Sequence, residues 1–158
     1  LGNEVRLLLH LMSKVEPAML DYRPTPKQRS LLELLQYLTM LGPVHMRGVM
    51  SSPFDMELWT KDWTDGAAAA KTLDFVGVQD AIAKHPAYYT ERLGALAEED
   101  FRTGHEMFGA KMSRGAWAVA LVLNHYAAYR MQLFLYLKSC GREELNTLNL
   151  WVGMDGKM

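Results

Sequence analysis

The sequence predicts an all-α fold built as a four-helix bundle. Three observations carry that expectation. Apolar residues recur at spacings of three and four in separate stretches, the helical period. No run alternates apolar and polar residues as a half-buried strand would. Helix start and stop signals bracket the stretches, among them Ser30 three residues before Glu33 and Gly141 after the last long run. The chain of 158 residues has the length of one domain, residues 1–158, and 49% of it is apolar, enough to bury a core without disulfides or metal.

The first helix is expected over Glu4–Met19, where Val5, Leu8, Leu9, Met12 and Val15 share a face. Pro17 lacks an amide and clashes one turn back, so the helix ends or kinks there. DYRPTPKQRS, with two prolines, reads as a loop. Ser30 and Glu33 form a capping-box signature, and Leu31, Leu34, Leu35 and Leu38 give the second helix its buried stripe. Gly42-Pro43 kinks this helix, or ends it and restarts it. Residues 51–66, SSPFDMELWTKDWTDG, read as a connector that packs through Phe54, Trp59 and Trp63. A third helical region starts near Ala67, with an interruption at Phe75–Val78, and resumes through Gln79–Leu96. Pro86 marks a kink or a new first turn. Thr103–Ser113, with Gly104 and Gly109, reads as loop. Ser113 caps the last long helix, Arg114–Ser139, and the tail ELNTLNLWVGMDGKM folds back on the bundle.

With 17 basic and 18 acidic residues the net charge is −1, which argues against a nucleic-acid footprint. The lone Cys140 cannot form an internal disulfide and fits a reducing compartment. The N-terminal segment lacks the apolar core and cleavage site of a signal peptide. The apolar run Ala116–Leu123 is far short of the ~20 residues of a membrane span, and Asn124 and His125 end it. The expectation is a soluble cytoplasmic protein with no nucleic-acid or membrane partner.

The polar residues within apolar stretches carry the candidate chemistry. Trp117, Leu121, His125, Ala128 and Gln132 recur at spacings of three or four, so His125 is expected to point inward with Trp117 and Leu121. An interior imidazole needs a hydrogen-bond partner or a metal. Tyr129 lies one turn beyond it. On the second helix Glu33, Tyr37, Leu41 and His45 form one stripe. His45 lies about 12 Å along the axis from Tyr37, which argues against one small site holding both. His10, His85 and His105 have no ligand spacing and read as solvated surface. Arg23 reads as a salt-bridge partner in the loop, Trp59 and Trp63 as packing, Cys140 as a half-buried small residue, and the eleven methionines as gap filler. There is no phosphate-binding glycine loop, CxxC or GxSxG.

Two stretches resemble the DinB superfamily. RPTPKQRSLLELLQYL is similar to that family's entry into the second helix, a proline-containing loop followed by Ser/Thr-x-x-Glu-Leu. RGAWAVALVLNHYAAYRMQLFLYLKSCG is similar to its last helix, ending in Gln-Leu…Tyr-Leu-Lys/Arg…Gly. The resemblance implies an up-down-down-up four-helix bundle, pairing as a homodimer, and a divalent metal such as zinc, nickel or manganese held by three histidines. Aligned on these motifs, the three positions fall on Tyr37, His125 and Tyr129, and one of the three is a histidine. A neutral phenol, with pKa near ~10, is a poor ligand at neutral pH, so no metal or other cofactor is expected.

Three functional readings follow. The resemblance implies a metal- and thiol-dependent S-transferase scaffold; without the metal, His125 would act as acid or base and the two tyrosines as donors. A second reading is a module that binds a small or thiol ligand without turnover. A third is a dimeric interaction protein. Tyr37, His125 and Tyr129 are expected to form a hydrogen-bonded cluster in place of the ion; the enzyme reading requires an open cavity reaching His125, the binding reading an apolar pocket, and the interaction reading a filled core around His125.

Overall fold

A computed structural model of the chain describes residues 1–156. It is mainly helical. Helix α1 (Gly2–Met12) leads through a 3₁₀ turn (Pro17–Met19) and a loop to α2 (Leu31–Met50). Helices α3 (Met56–Ala70), α4 (Phe75–Ala83), α5 (His85–Gly94) and α6 (Glu98–Arg102) follow. A hairpin of β1 (Gly104–Met107) and β2 (Ala110–Ser113) precedes α7 (Arg114–Ala118). A π-helical turn (Val119–Leu123) joins α7 to α8 (Asn124–Ser139), so residues 114–139 form one helical run.

Local chemistry explains most boundaries. Ser30 accepts from the Glu33 amide, and Glu33 accepts in return from the Ser30 amide, so the capping box that opens α2 is complete. Ser113 caps α7 through the Ala116 amide, as its position before the last helix suggests. Gly141 takes a φ of +94° just past the end of α8, a conformation that favours glycine. Pro86 sits in the first turn of α5, where a missing amide costs nothing. Helix α1 stops at Met12, earlier than Pro17 suggests, and Pro17 opens the 3₁₀ turn instead.

Three expectations are corrected. The stretch expected as an aperiodic connector is largely helix α3, started by Asp55, whose carboxylate accepts from the Leu58 amide. Its inner stripe is Trp59, Trp63, Ala67 and Ala70; the small alanines hide a helical period. The third helical region is divided at Lys71–Asp74, before the expected interruption, because Asp74 caps α4. The glycine-containing loop before the last helix is mostly the β hairpin. Its alternation is real but uses His105 and Met107 as the buried pair, so it does not read as apolar. Phe108 and Gly109 at its tip both have positive φ, +52° and +77°, as two-residue primed turns require.

Gly42-Pro43 neither ends nor restarts α2, which continues from Leu31 to Met50. Pro43 has no amide for the carbonyl of Thr39 one turn back. The Nε2 of His85 takes that carbonyl at 3.1 Å, so the helix passes a proline with no buried acceptor wasted.

The main core lies where α1, α2, α4 and α8 meet, with Leu8, Leu11, Leu34, Leu38, Ile82 and Leu133 fully buried. Each such side chain stabilises the fold by about 1.5–3 kcal/mol. A smaller cluster of Val49, Met107 and Trp117 ties the hairpin to α2 and α7. The tail does return to the body: a π-helical turn (Leu148–Val152) packs on α1. The buried Arg130 donates to the Leu150 carbonyl and lies over the Trp151 ring, and Arg6 donates to the Val152 carbonyl. The last two residues of the expected tail lie outside the described residues. Among the described residues, no helix is long and apolar enough to cross a membrane.

Candidate functional site

The π turn determines which residues of the last helix face inward. Widening one turn shifts the buried stripe by one residue. The stripe leaves Trp117 and continues through Val122, Tyr126, Arg130, Leu133 and Leu137, all buried. The expected stripe of Trp117, Leu121, His125, Ala128 and Gln132 is therefore correct only at Trp117. Leu121, His125 and Gln132 are half-buried and Ala128 is exposed. His125 and Tyr129 lie on the flank of the buried stripe.

Tyr37, His125 and Tyr129 do come together, ring on ring. Tyr37 meets Tyr129 edge to face at 5.4 Å, and Tyr129 meets His125 at 6.1 Å. His125 donates from Nδ1 to the Leu121 carbonyl of its own helix at 2.6 Å. The ring N–H expected to donate to the second phenol is thus taken by backbone. Burial, reinforced by the neighbouring Tyr129 phenol, pushes the Tyr37 hydroxyl up to about 12.

The structure adds a residue to this group. His45 stacks on His125 at 5.2 Å, with the two rings 18° apart, and packs against both Trp59 and Trp63 at 5.7 and 5.6 Å. Trp63 in turn meets Tyr37 at 5.8 Å. Axial distance along α2 therefore separates His45 from Tyr37 less than it suggests, because α3 and α8 bridge them with aromatic rings. The i, i+4 pair Trp59 and Trp63 was the available signal. His45 is 6% exposed, and burial, then the nearby His125, lowers its pKa to about 4. Its Nδ1 and the Trp59 Nε1 have no hydrogen-bond partner among the described residues.

A second polar cluster lies deeper. The Tyr89 and Tyr126 hydroxyls are 2.8 Å apart, and the Tyr126 hydroxyl is 2.5 Å from Nδ1 of His85. The Thr39 carbonyl can only accept, so His85 carries its proton on Nε2. Nδ1 then accepts from Tyr126, and Tyr126 accepts from Tyr89. One direction runs through the whole chain of bonds. Burial holds His85 neutral, with its pKa lowered to about 4, and pushes both phenols up. His85 and His105, expected at the surface, are 4% and 5% exposed, and His10 is half-buried. His105 is satisfied by the Gly48 carbonyl at 3.1 Å. Helical and hairpin contacts with α2 bury both, which spacing between histidines does not reveal.

Beside Tyr37, between α2 and α3, opens a cavity of about 500 Å³. Tyr37, Met40, Trp63 and Ala67 form its apolar lining, and Arg29 and Lys71 bring positive charge. The Arg29 guanidinium lies 3.9 Å from the centre of the Tyr37 ring. His125 does not line this cavity.

The architecture matches a solved structure, that of a DinB-like protein from Bacillus cereus ATCC 10987. The TM-score is 0.67 over 89% of this chain and 87% of that one, at 19% sequence identity. The fold is DinB-like. No protein-family model matches the sequence, and no curated protein matches it.

The DinB-like resemblance implies a three-histidine metal centre, and the residues at those positions do not fit one. Two are phenols, and Tyr37 is shifted away from ionisation rather than toward it. The one histidine has Nδ1 committed to Leu121 and a face covered by His45. His45 lies parallel to His125, a stacked arrangement instead of two lone pairs converging on a point. Among the described residues no three His, Cys, Asp or Glu side chains are grouped to hold a metal ion.

Proposed function

We propose that the chain is a DinB superfamily member, a single-domain, up-down-down-up four-helix bundle, that works without the family's metal and binds a small molecule. The bundle would use α1, α2, α4–α5 and the 114–139 helix, with α3 as an added side helix. Packing of α1 on α4 and α8, and of α2 on the same two helices, supports this arrangement. In this reading Tyr37 lines the ligand site, Tyr129 and His125 pack behind it, and the three are not a catalytic set. The observation that carries it is the separation of His125 from the cavity beside Tyr37. An acid–base role needs the imidazole in reach of a substrate, whereas a binding role needs only the lined cavity.

The test is a fragment screen followed by thermal shift, run with chelator and again with zinc and a low-molecular-weight thiol. The expected result is a ligand-dependent rise in Tm that chelator does not change, with no thiol consumed. Metal-dependent consumption of thiol would overturn the reading in favour of an S-transferase.

Homodimer formation is a second reading, supported by Trp151, Val152 and Met154, which are adjacent and exposed on the tail. Sedimentation analysis tests it directly: a concentration-independent monomer removes it. A cytoplasmic location accords with the lone, unpaired Cys140.

A further inference from the structure

The cavity between α2 and α3 has a chemistry that selects its occupant. Tyr37 and Trp63 meet at 72° between ring planes, which makes an aromatic corner. Met40 and Ala67 continue the apolar lining. Three charged residues border this corner. Glu33 is already neutralised: Arg23 holds both its carboxylate oxygens at 2.7 Å, and the Ser30 amide adds a third bond. Arg29 and Lys71, both exposed, make no ion pair among the described residues. Stacking on Tyr37 holds Arg29 at the wall, and its guanidinium edge stays available for a ligand. The Gln36 amide nitrogen is committed to the Leu73 carbonyl at 2.7 Å, so it does not compete for an anion.

We propose that this cavity binds a small organic acid with a flat aromatic body, its ring in the Tyr37–Trp63 corner and its carboxylate on Arg29 and Lys71. The proposal rests on the ligand-binding reading above and narrows it to one ligand class. A carboxylate suits this mouth better than a phosphate ester. The two cations are side chains, Arg29 and Lys71, and the sequence has no glycine-rich loop to supply the backbone amides that phosphates use. The volume of about 500 Å³ lies within the ~300–1,000 Å³ range of small-molecule sites.

The probes are 2-naphthoate and its neutral amide, followed by calorimetry and by the amide NMR shifts of α2 and α3. Wild-type protein is expected to bind naphthoate about tenfold more tightly than naphthamide, the worth of one charge-assisted contact. Arg29→Gln and Lys71→Gln change exposed side chains, so the fold is retained. Each is expected to remove most of that preference while leaving the amide's affinity unchanged. Ala67→Trp, which fills the cavity, is expected to abolish binding of both compounds. Equal affinity for the two compounds, or naphthoate binding indifferent to both Gln variants, would overturn the carboxylate assignment and leave the ligand-binding reading standing. No binding of either probe overturns the assignment, and a blank fragment screen beside it overturns the reading as well.

Discussion

Gly42 has no room for a side chain. A Cβ there would lie 2.1 Å from the Tyr89 hydroxyl and 2.8 Å from that of Tyr126. Gly42→Ala is therefore expected to lower stability by about 1–3 kcal/mol, measured by urea unfolding. Tyr89→Phe removes only the first donor of the bond chain and should cost about 1 kcal/mol. Because Tyr89→Phe also removes the clashing oxygen, the double variant should be more stable than the two single losses added together. Simple additivity would show that the hydroxyl does not set the constraint. His45 and His85 give a pH signature. Both fold with a pKa near 4, below the ordinary 6.5. Between those values the unfolded chain takes up protons that the folded chain refuses. Stability thus falls as pH drops from about 6.5 to about 4, and the decline levels off below. The loss is on the order of 3 kcal/mol per histidine. His85→Gln can accept from Tyr126 and donate to Thr39 without titrating, so it should flatten part of the decline, and His45→Phe a further part. Unchanged pH profiles in both variants would mean that these rings are not held neutral.

The π turn is the element that decides the site's composition. Deleting the exposed Val119 would restore a plain α-helix and rotate α7 against α8. Trp117, which donates to the His105 carbonyl at 2.8 Å, would leave its pocket, a loss of about 3–5 kcal/mol that near-UV circular dichroism and unfolding would both register. At the other end of the site, Ser30→Ala removes the α2 cap and should cost about 1 kcal/mol. The cap was legible in the sequence because its chemistry is local: Ser30 and Glu33 need only each other. So were Pro86 in a first turn and the stop at Gly141. The π turn was not, since an unbroken apolar run such as AWAVALVL gives no sign of its winding. Its one-residue shift is why His125 was expected inside, where Tyr126 now lies. Helix α3 was hidden by alanines, and the hairpin by a buried histidine. The route of α2 past Pro43 depends on His85, forty-two residues later in the chain, and no local pattern encodes that.

Across the whole chain, the mainly helical character and the likeness to a DinB-like fold were both legible, because periodicity and two motif stretches extend over much of it. The meeting of Tyr37, His125 and Tyr129 also followed from motif positions. The inclusion of His45, Trp59 and Trp63 did not, since it requires α3 to be a helix. We propose that this group of rings stands where relatives of this fold hold a metal centre. The most direct test is metal content per chain after loading with zinc, nickel or manganese and removal of excess, for three proteins: wild type, His125→Ala, and the double variant Tyr37→His with Tyr129→His. Negligible metal is expected in the first two, and a metal-to-chain ratio approaching about one in the double variant, which restores a three-histidine set. Near-stoichiometric metal in the wild type, lost in His125→Ala, would contradict it.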